Sequence, residues 1–75
     1  MDYNTIVYNE IKYDEKMKEW INQRKAAGIS QMEVALDMGT SYSMISLIET
    51  FKRRSLAAYY YYKNHFGYEE EDNDL

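Results

Sequence analysis

The sequence predicts an all-α fold, a bundle of about five short helices in one small domain. Three observations carry that prediction. Residues 30–49, SQMEVALDMGTSYSMISLIE, hold two apolar stripes at helical spacing on either side of a glycine. A residue suited to cap a helix, Ser30 and then Ser41, precedes each stripe. The chain of 75 residues has no proline to interrupt a helical run.

Residues 1–13 are the least determined. Tyr3, Val7 and Ile11 are spaced for a helix, while Thr5–Tyr8 also suits a short strand. Two roles stay open for this N-terminal arm: a cover packed over the core, or a dimerisation or partner-docking element. From Asp14 to Gly28 the pattern predicts a helix, with Asp14 as N-cap and Gly28 just past its end. Met17, Trp20, Ile21 and Arg24 fall on one face of it, and Trp20 is expected in the core.

The next helix is expected over Ser30–Met38. Ser30 and Glu33 have capping-box spacing, so each side chain can satisfy a backbone N–H that the helix start leaves open. Val34, Ala35 and Met38 share its inner face. Gly39 stands where a helix commonly ends in a left-handed residue. Ser41 then caps a helix to about Glu49, with Ile45 and Ile48 inward and Ser43, Ser46, Leu47 and Thr50 outward. Two short helices with a tight turn form a helix-turn-helix, a device that presents its second helix to the DNA major groove.

Thr50–Arg54 reads as a basic loop. Ser55 caps a last helix running to Phe66 and ended by Gly67. Within it Tyr59, Tyr60, Tyr61 and Tyr62 are consecutive, and four consecutive residues cover every side of a helix. With Phe66 they are favoured as a homodimer surface, since tyrosine joins apolar area to a polar tip. The rival reading is a half-buried helix with a solvated tyrosine edge. Residues 69–75, EEEDNDL, lack apolar periodicity and are expected to be a disordered acidic tail. Residues 1–68 thus form the single domain.

The net charge is −4, which argues against nucleic acid as a partner until its distribution is considered. Residues 1–15 carry −3, residues 16–54 carry +3 and residues 55–75 carry −4. The positive section coincides with the helix-turn-helix, and at a Debye length of about 10 Å a local basic face counts for more than the total. No run nears the roughly twenty apolar residues that span a bilayer, and no basic-then-apolar signal pattern opens the chain. With no cysteine there are no disulfides, which suits a cytoplasmic setting. His65 is the only histidine, so no metal site is recognisable, and no cofactor is expected. Neither a nucleophile–base pair nor a phosphate-cradling glycine loop is present, so no enzyme is expected.

By Glu49 the order of parts is specific. From Arg24 to Glu49 the chain reads RKAAGISQMEVALDMGTSYSMISLIE. It resembles the Xre/Cro-type, lambda-repressor-like helix-turn-helix family over about residues 16–68. The family's Arg, Gly-Leu-Ser-Gln, Leu-Ala pair, turn Gly, Ile and final Ile-Glu stand here as Arg24, Gly28-Ile29-Ser30-Gln31, Val34-Ala35, Gly39, Ile45 and Ile48-Glu49. There are departures. Thr50-Phe51-Lys52 replaces the usual Asn-Gly-Lys, so an easy positive φ at Phe51 is lost and the loop is expected to differ. The proline after the basic pair is missing, and Leu36 stands where a polar residue is usual. The N-terminal arm and the tail lie outside the pattern.

The resemblance implies a lambda-repressor-like bundle and an ion pair between Arg24 and Glu49, either buried as a lock on helix orientation or exposed and weak. It implies base contacts from Tyr42, Ser43 and Leu47, with Ser46 weaker on the same face. It also implies a phosphate contact from Gln31, whose competing role is a local cap. Lys52, Arg53 and Arg54 follow the recognition helix where a phosphate strand would run, and Thr50 adds a candidate hydrogen bond; Lys16, Lys18 and Lys25 are weaker candidates, whose competing role is to solubilise the first helix. The expected function is a sequence-specific double-stranded DNA-binding transcriptional regulator, a repressor of phage or mobile-element type acting as a homodimer. The helix 41–49 would enter the major groove. The alternative is a helix-turn-helix scaffold used for protein binding, an antirepressor or adaptor, and a regulatory protein partner fits either.

Overall fold

The computed structural model describes residues 3–67, and the side chains of residues 5–67. The acidic tail expected at 69–75 lies outside the described residues. Five helices follow in order: α1 (Tyr3–Glu10), α2 (Tyr13–Ala26), α3 (Gln31–Met38), α4 (Tyr42–Glu49) and α5 (Leu56–Phe66). No strand occurs among the described residues. None of these helices is long and apolar enough to cross a membrane.

The open question over the arm is settled for helix: α1 packs against α2, with Tyr8 and Ile11 partly buried on the core. Lys12 turns the chain in a left-handed conformation, φ 55°. The helix expected to have Asp14 as its cap starts two residues earlier, with Lys12 at the cap position, and Lys12 makes no side-chain cap. The cause is Tyr13. Its ring is buried, and its hydroxyl accepts the Ser55 N–H at 3.0 Å, which fixes where α2 starts. Asp14 is left in the first turn, free to face another segment.

The predicted caps of the next three helices form. Ser30 Oγ accepts from Glu33 N–H at 3.1 Å and the Glu33 carboxylate accepts from Ser30 N–H at 3.1 Å, a complete capping box. Ser41 Oγ accepts from Met44 N–H, and Ser55 Oγ from Ala58 N–H. Gly39 closes α3 at φ 73°. A Cβ there would meet nothing within 4 Å, so alanine suffers only the left-handed backbone. Gly39→Ala is therefore expected to cost about 1–2 kcal/mol in urea denaturation with no change in slope, and a neutral result would mean the turn can reshape.

The loop after α4 departs from expectation. Phe51, without a glycine's freedom, still adopts φ 63°. Lys52 N–H donates to Leu47 O at 3.0 Å and Phe51 N–H to Ile48 O at 3.1 Å, the double bond of a left-handed helix end. Its Phe51 ring packs on the core and lies 6.0 Å from the Lys18 ammonium, contacts that offset the backbone cost of about 1–2 kcal/mol. The positive φ is kept by packing, not by residue type.

The core joins the inner faces of α2, α3, α4 and α5. Met17, Trp20 and Ile21 meet Val34, Ala35, Ile45 and Ile48, and Tyr13 and Trp20 pack on Tyr59 at ring separations of 6.0 and 5.0 Å. Gly67 ends α5 against this layer. A Cβ at Gly67 would lie 2.7 Å from Lys63 O and 3.0 Å from Trp20 Nε1, so close approach rather than φ requires glycine.

The tyrosine run must be corrected as a dimer surface. Tyr59, Tyr62 and Phe66 are buried in the chain's own core, together with Ala58. They form one helical stripe on the side of α5 that faces α2. Tyr61 is half-buried and its hydroxyl donates to Asp37 on α3 at 2.6 Å. Only Tyr60 is exposed, with Leu56 exposed one turn before it.

Candidate nucleic-acid interface

The surface singled out in the sequence depends on how α4 is held. Glu49, the last residue of α4, is the hub. Its two carboxylate oxygens accept Arg24 Nε and Nη2, each at 2.8 Å, from α2. Gln31 Nε2 donates to it at 2.8 Å from α3, and the Tyr62 hydroxyl at 2.5 Å from α5. Arg24 also donates to Ile29 O, beyond the end of α2. Exposures of 7 % and 4 % for the Arg24 and Glu49 side chains decide for the buried form of the pair. One carboxylate therefore ties four helices together.

Burial pushes the Glu49 carboxyl up, but the hydrogen bonds from Arg24, Tyr62 and Gln31 outweigh it and leave it below the usual carboxylate value. Burial, reinforced by that carboxylate, drives the Tyr62 hydroxyl far up. The arrangement is a charged carboxylate with neutral and cationic donors on every side, which suits positioning and not proton transfer. Tyr62 belongs to this network although the sequence reading placed it on a dimer face. The spacing Tyr59, Tyr62, Phe66 was the available signal, hidden by the neighbouring tyrosines.

With Ile45 and Ile48 buried behind, α4 turns its opposite edge outward. Tyr42 is 51 % and Leu47 37 % exposed, Ser43 is exposed between them, and Ser46 is half-exposed. All four predicted base-contacting residues lie on α4, with Tyr42, Ser43 and Leu47 the open ones.

The flanking candidates divide. Lys52 and Arg53 are exposed and form no ion pair among the described residues. Arg54 is instead held by Asp14, through Nε at 3.0 Å and Nη2 at 2.7 Å, so a phosphate would have to compete with that carboxylate. Thr50 needs correction: its hydroxyl donates to Ser46 O at 2.8 Å and its N–H to the same carbonyl, so neither donor is offered to a phosphate. Threonine readily bonds back to the carbonyl one turn earlier in a helix, and here it ends one. Gln31 spends one amide hydrogen on Glu49 and keeps a second; it caps no helix end.

Two features were not legible in the sequence. One is the Asp14–Arg54 bridge, joining residues forty apart. The other is a cleft of about 350 Å3 between α1 and the segment Phe51–Arg54. His65 stacks on Tyr61 at 3.9 Å and no group of metal-binding side chains occurs among the described residues. No protein-family model, curated protein or solved structure matches the chain.

Proposed function

We propose that the chain is a sequence-specific double-stranded DNA-binding regulator of the lambda-repressor-like kind, with α3 and α4 as its helix-turn-helix. The observation that carries this reading is the division of α4. Its isoleucines are sealed in the core while Tyr42, Ser43 and Leu47 form an exposed edge, with Lys52 and Arg53 exposed and without an ion pair among the described residues. The B-DNA major groove, about 12 Å wide, admits a helix presented in this way. Ser43 can bond a base edge, and Leu47 and the Tyr42 ring can meet thymine methyls. None makes the bidentate contacts that discriminate bases best, so groove shape and deformability supply part of the specificity.

Phosphate binding is carried by Lys52 and Arg53, helped by the second amide hydrogen of Gln31. These contacts set register and orientation. A homodimer would place two copies of α4 about 34 Å apart in successive grooves of a two-fold site, and occupying a promoter is sufficient for repression. Leu56 and Tyr60 are what α5 leaves for the contact between copies.

The test is selection of bound sites from a random duplex pool, followed by titration of affinity against salt. Binding should weaken steeply with salt, and Arg53→Ala should reduce the slope of log affinity against log salt by about 0.9. Failure to bind any duplex at low salt overturns the reading. One observation favours a protein-binding scaffold instead: Leu36 and Met32, one turn apart on α3, are 73 % and 50 % exposed. An antirepressor or adaptor would use that face.

A further inference from the structure

We propose that the cleft between α1 and the α4–α5 connection is a phosphate-group site, which makes α1 part of the nucleic-acid surface. The inference rests on the DNA-binding reading for the source of the phosphate, but not for the chemistry of the site. Tyr8 and Asn9 of α1 face Phe51, Lys52, Arg53 and Arg54 across about 350 Å3. In a chain of net charge −4, three cations and no carboxylate line this cleft among the described residues. Such a concentration of one sign raises the local anion concentration.

One wall of the cleft is braced by contacts of its own. Arg54 is clamped by Asp14, and its guanidinium carbon lies 6.0 Å from the centre of the Tyr8 ring. That ring in turn stands edge-on to the buried Tyr13 at 4.9 Å. Because Asp14 neutralises Arg54, the charge offered to a ligand is that of Lys52 and Arg53. The N–H groups of both residues already donate to Leu47 O, so the backbone supplies no anion nest here. Side chains must therefore be the donors: the ammonium and guanidinium for charge, the Asn9 amide as a neutral donor across the cleft. A tetrahedral anion with several acceptor oxygens matches donors arriving from two walls. The same segment, Lys52–Arg53, begins three residues past the end of α4, so a strand that meets these two cations beside the recognition helix brings a phosphodiester to the cleft.

The decisive variants are made in the full chain. Asn9→Asp puts a carboxylate in the cleft, and Asn9→Ala removes the donor alone. Asn22→Asp, exposed on α2 and outside the cleft, adds the same charge elsewhere. Thermal melts establish that each is folded. Asn9→Asp is expected to weaken duplex binding roughly tenfold and to make the salt slope shallower by about 0.9, while Asn22→Asp stays within about twofold. Asn9→Ala should weaken binding about threefold. If the parent binds duplex and Asn9→Asp behaves like Asn22→Asp, the inference is overturned and the regulator reading stands.

If the parent binds no duplex, the regulator reading falls and inorganic phosphate decides the site. Nuclear magnetic resonance shifts centred on Asn9, Lys52 and Arg53 at millimolar phosphate, lost in Asn9→Asp, would establish a site for free phosphate. Shifts absent there, or spread over all surface cations, would overturn it.

Discussion

Glu49→Gln is expected to lower stability by about 3–5 kcal/mol, the largest effect of any polar substitution in the chain. Glutamine nearly keeps the shape, so the loss measures charge and not a cavity. It leaves the Arg24 guanidinium buried opposite a neutral amide, and it turns one acceptor oxygen into a donor facing Arg24, Gln31 or Tyr62. At roughly 0.05–0.15 kcal/mol per residue a domain of this size has little stability in reserve. Glu49→Gln should therefore be largely unfolded or close to its midpoint without denaturant, as read by circular dichroism and urea titration. Tyr62→Phe removes one of four donors and leaves the ion pair whole, so about 1–2 kcal/mol is expected. Equal losses for the two variants would mean that the carboxylate is no hub.

The same carboxylate makes the fold lose stability in acid. Its folded-state pKa lies below the ordinary value of 4.5. A depressed acid contributes its full stability above the unfolded value, and the contribution fades as pH falls toward the folded one. Parent chain and Glu49→Gln should thus converge in stability from about pH 4.5 downward and differ most near neutrality. At the alkaline end the sign reverses. Burial first, and then its bond to Asp37, pushes the Tyr61 hydroxyl up to about 12 from 10.0, and Tyr62 is raised as well. Those tyrosines stabilise the fold below the unfolded value of 10.0 and cease to do so as pH rises through their folded values.

The parts read correctly from the sequence are those whose signal is local. Ser30 with Glu33, Ser41, Ser55 and Gly39 each act within one turn, and each does what its residue type dictates. The face Met17, Trp20, Ile21, Arg24 was equally plain, since one period generates it. Where local chemistry competes with long-range packing, the sequence misleads. Asp14 looks like a cap, but Tyr13 is pinned by Ser55 from forty-two positions away and starts the helix first. Phe51 looks unfit for a positive φ, yet its ring has a place on the core that requires one. The tyrosine run defeats periodicity because all four positions are alike, and only the packing of α2 on α5 selects which two go inside. The cleft beside α1 is a juxtaposition of segments more than forty residues apart, with no shared period to announce it.

Leu47→Glu is expected to abolish duplex binding, at least 100-fold or about 2.7 kcal/mol, while leaving the fold nearly unchanged. Leu47 is 37 % exposed on the edge of α4, and glutamate is about as good a helix former as leucine, but an acid in the last turn opposes the helix dipole, so a loss of about 1 kcal/mol is expected with the fold retained. In the groove, however, a carboxylate would replace an apolar contact, with phosphates on either side, and like charge brought close costs several kcal/mol. Leu36→Glu is the matched control. It adds the same charge to the outer face of α3, where the proposed docking brings no strand, and should retain binding at moderate salt. The two variants separate the competing uses of the scaffold. A DNA reader loses activity at Leu47 and keeps it at Leu36, whereas a protein-binding adaptor shows the opposite pattern against its partner. Leu47→Glu that binds duplex as the parent does would mean that Leu47 meets no base edge, and would remove this part of α4 from the groove.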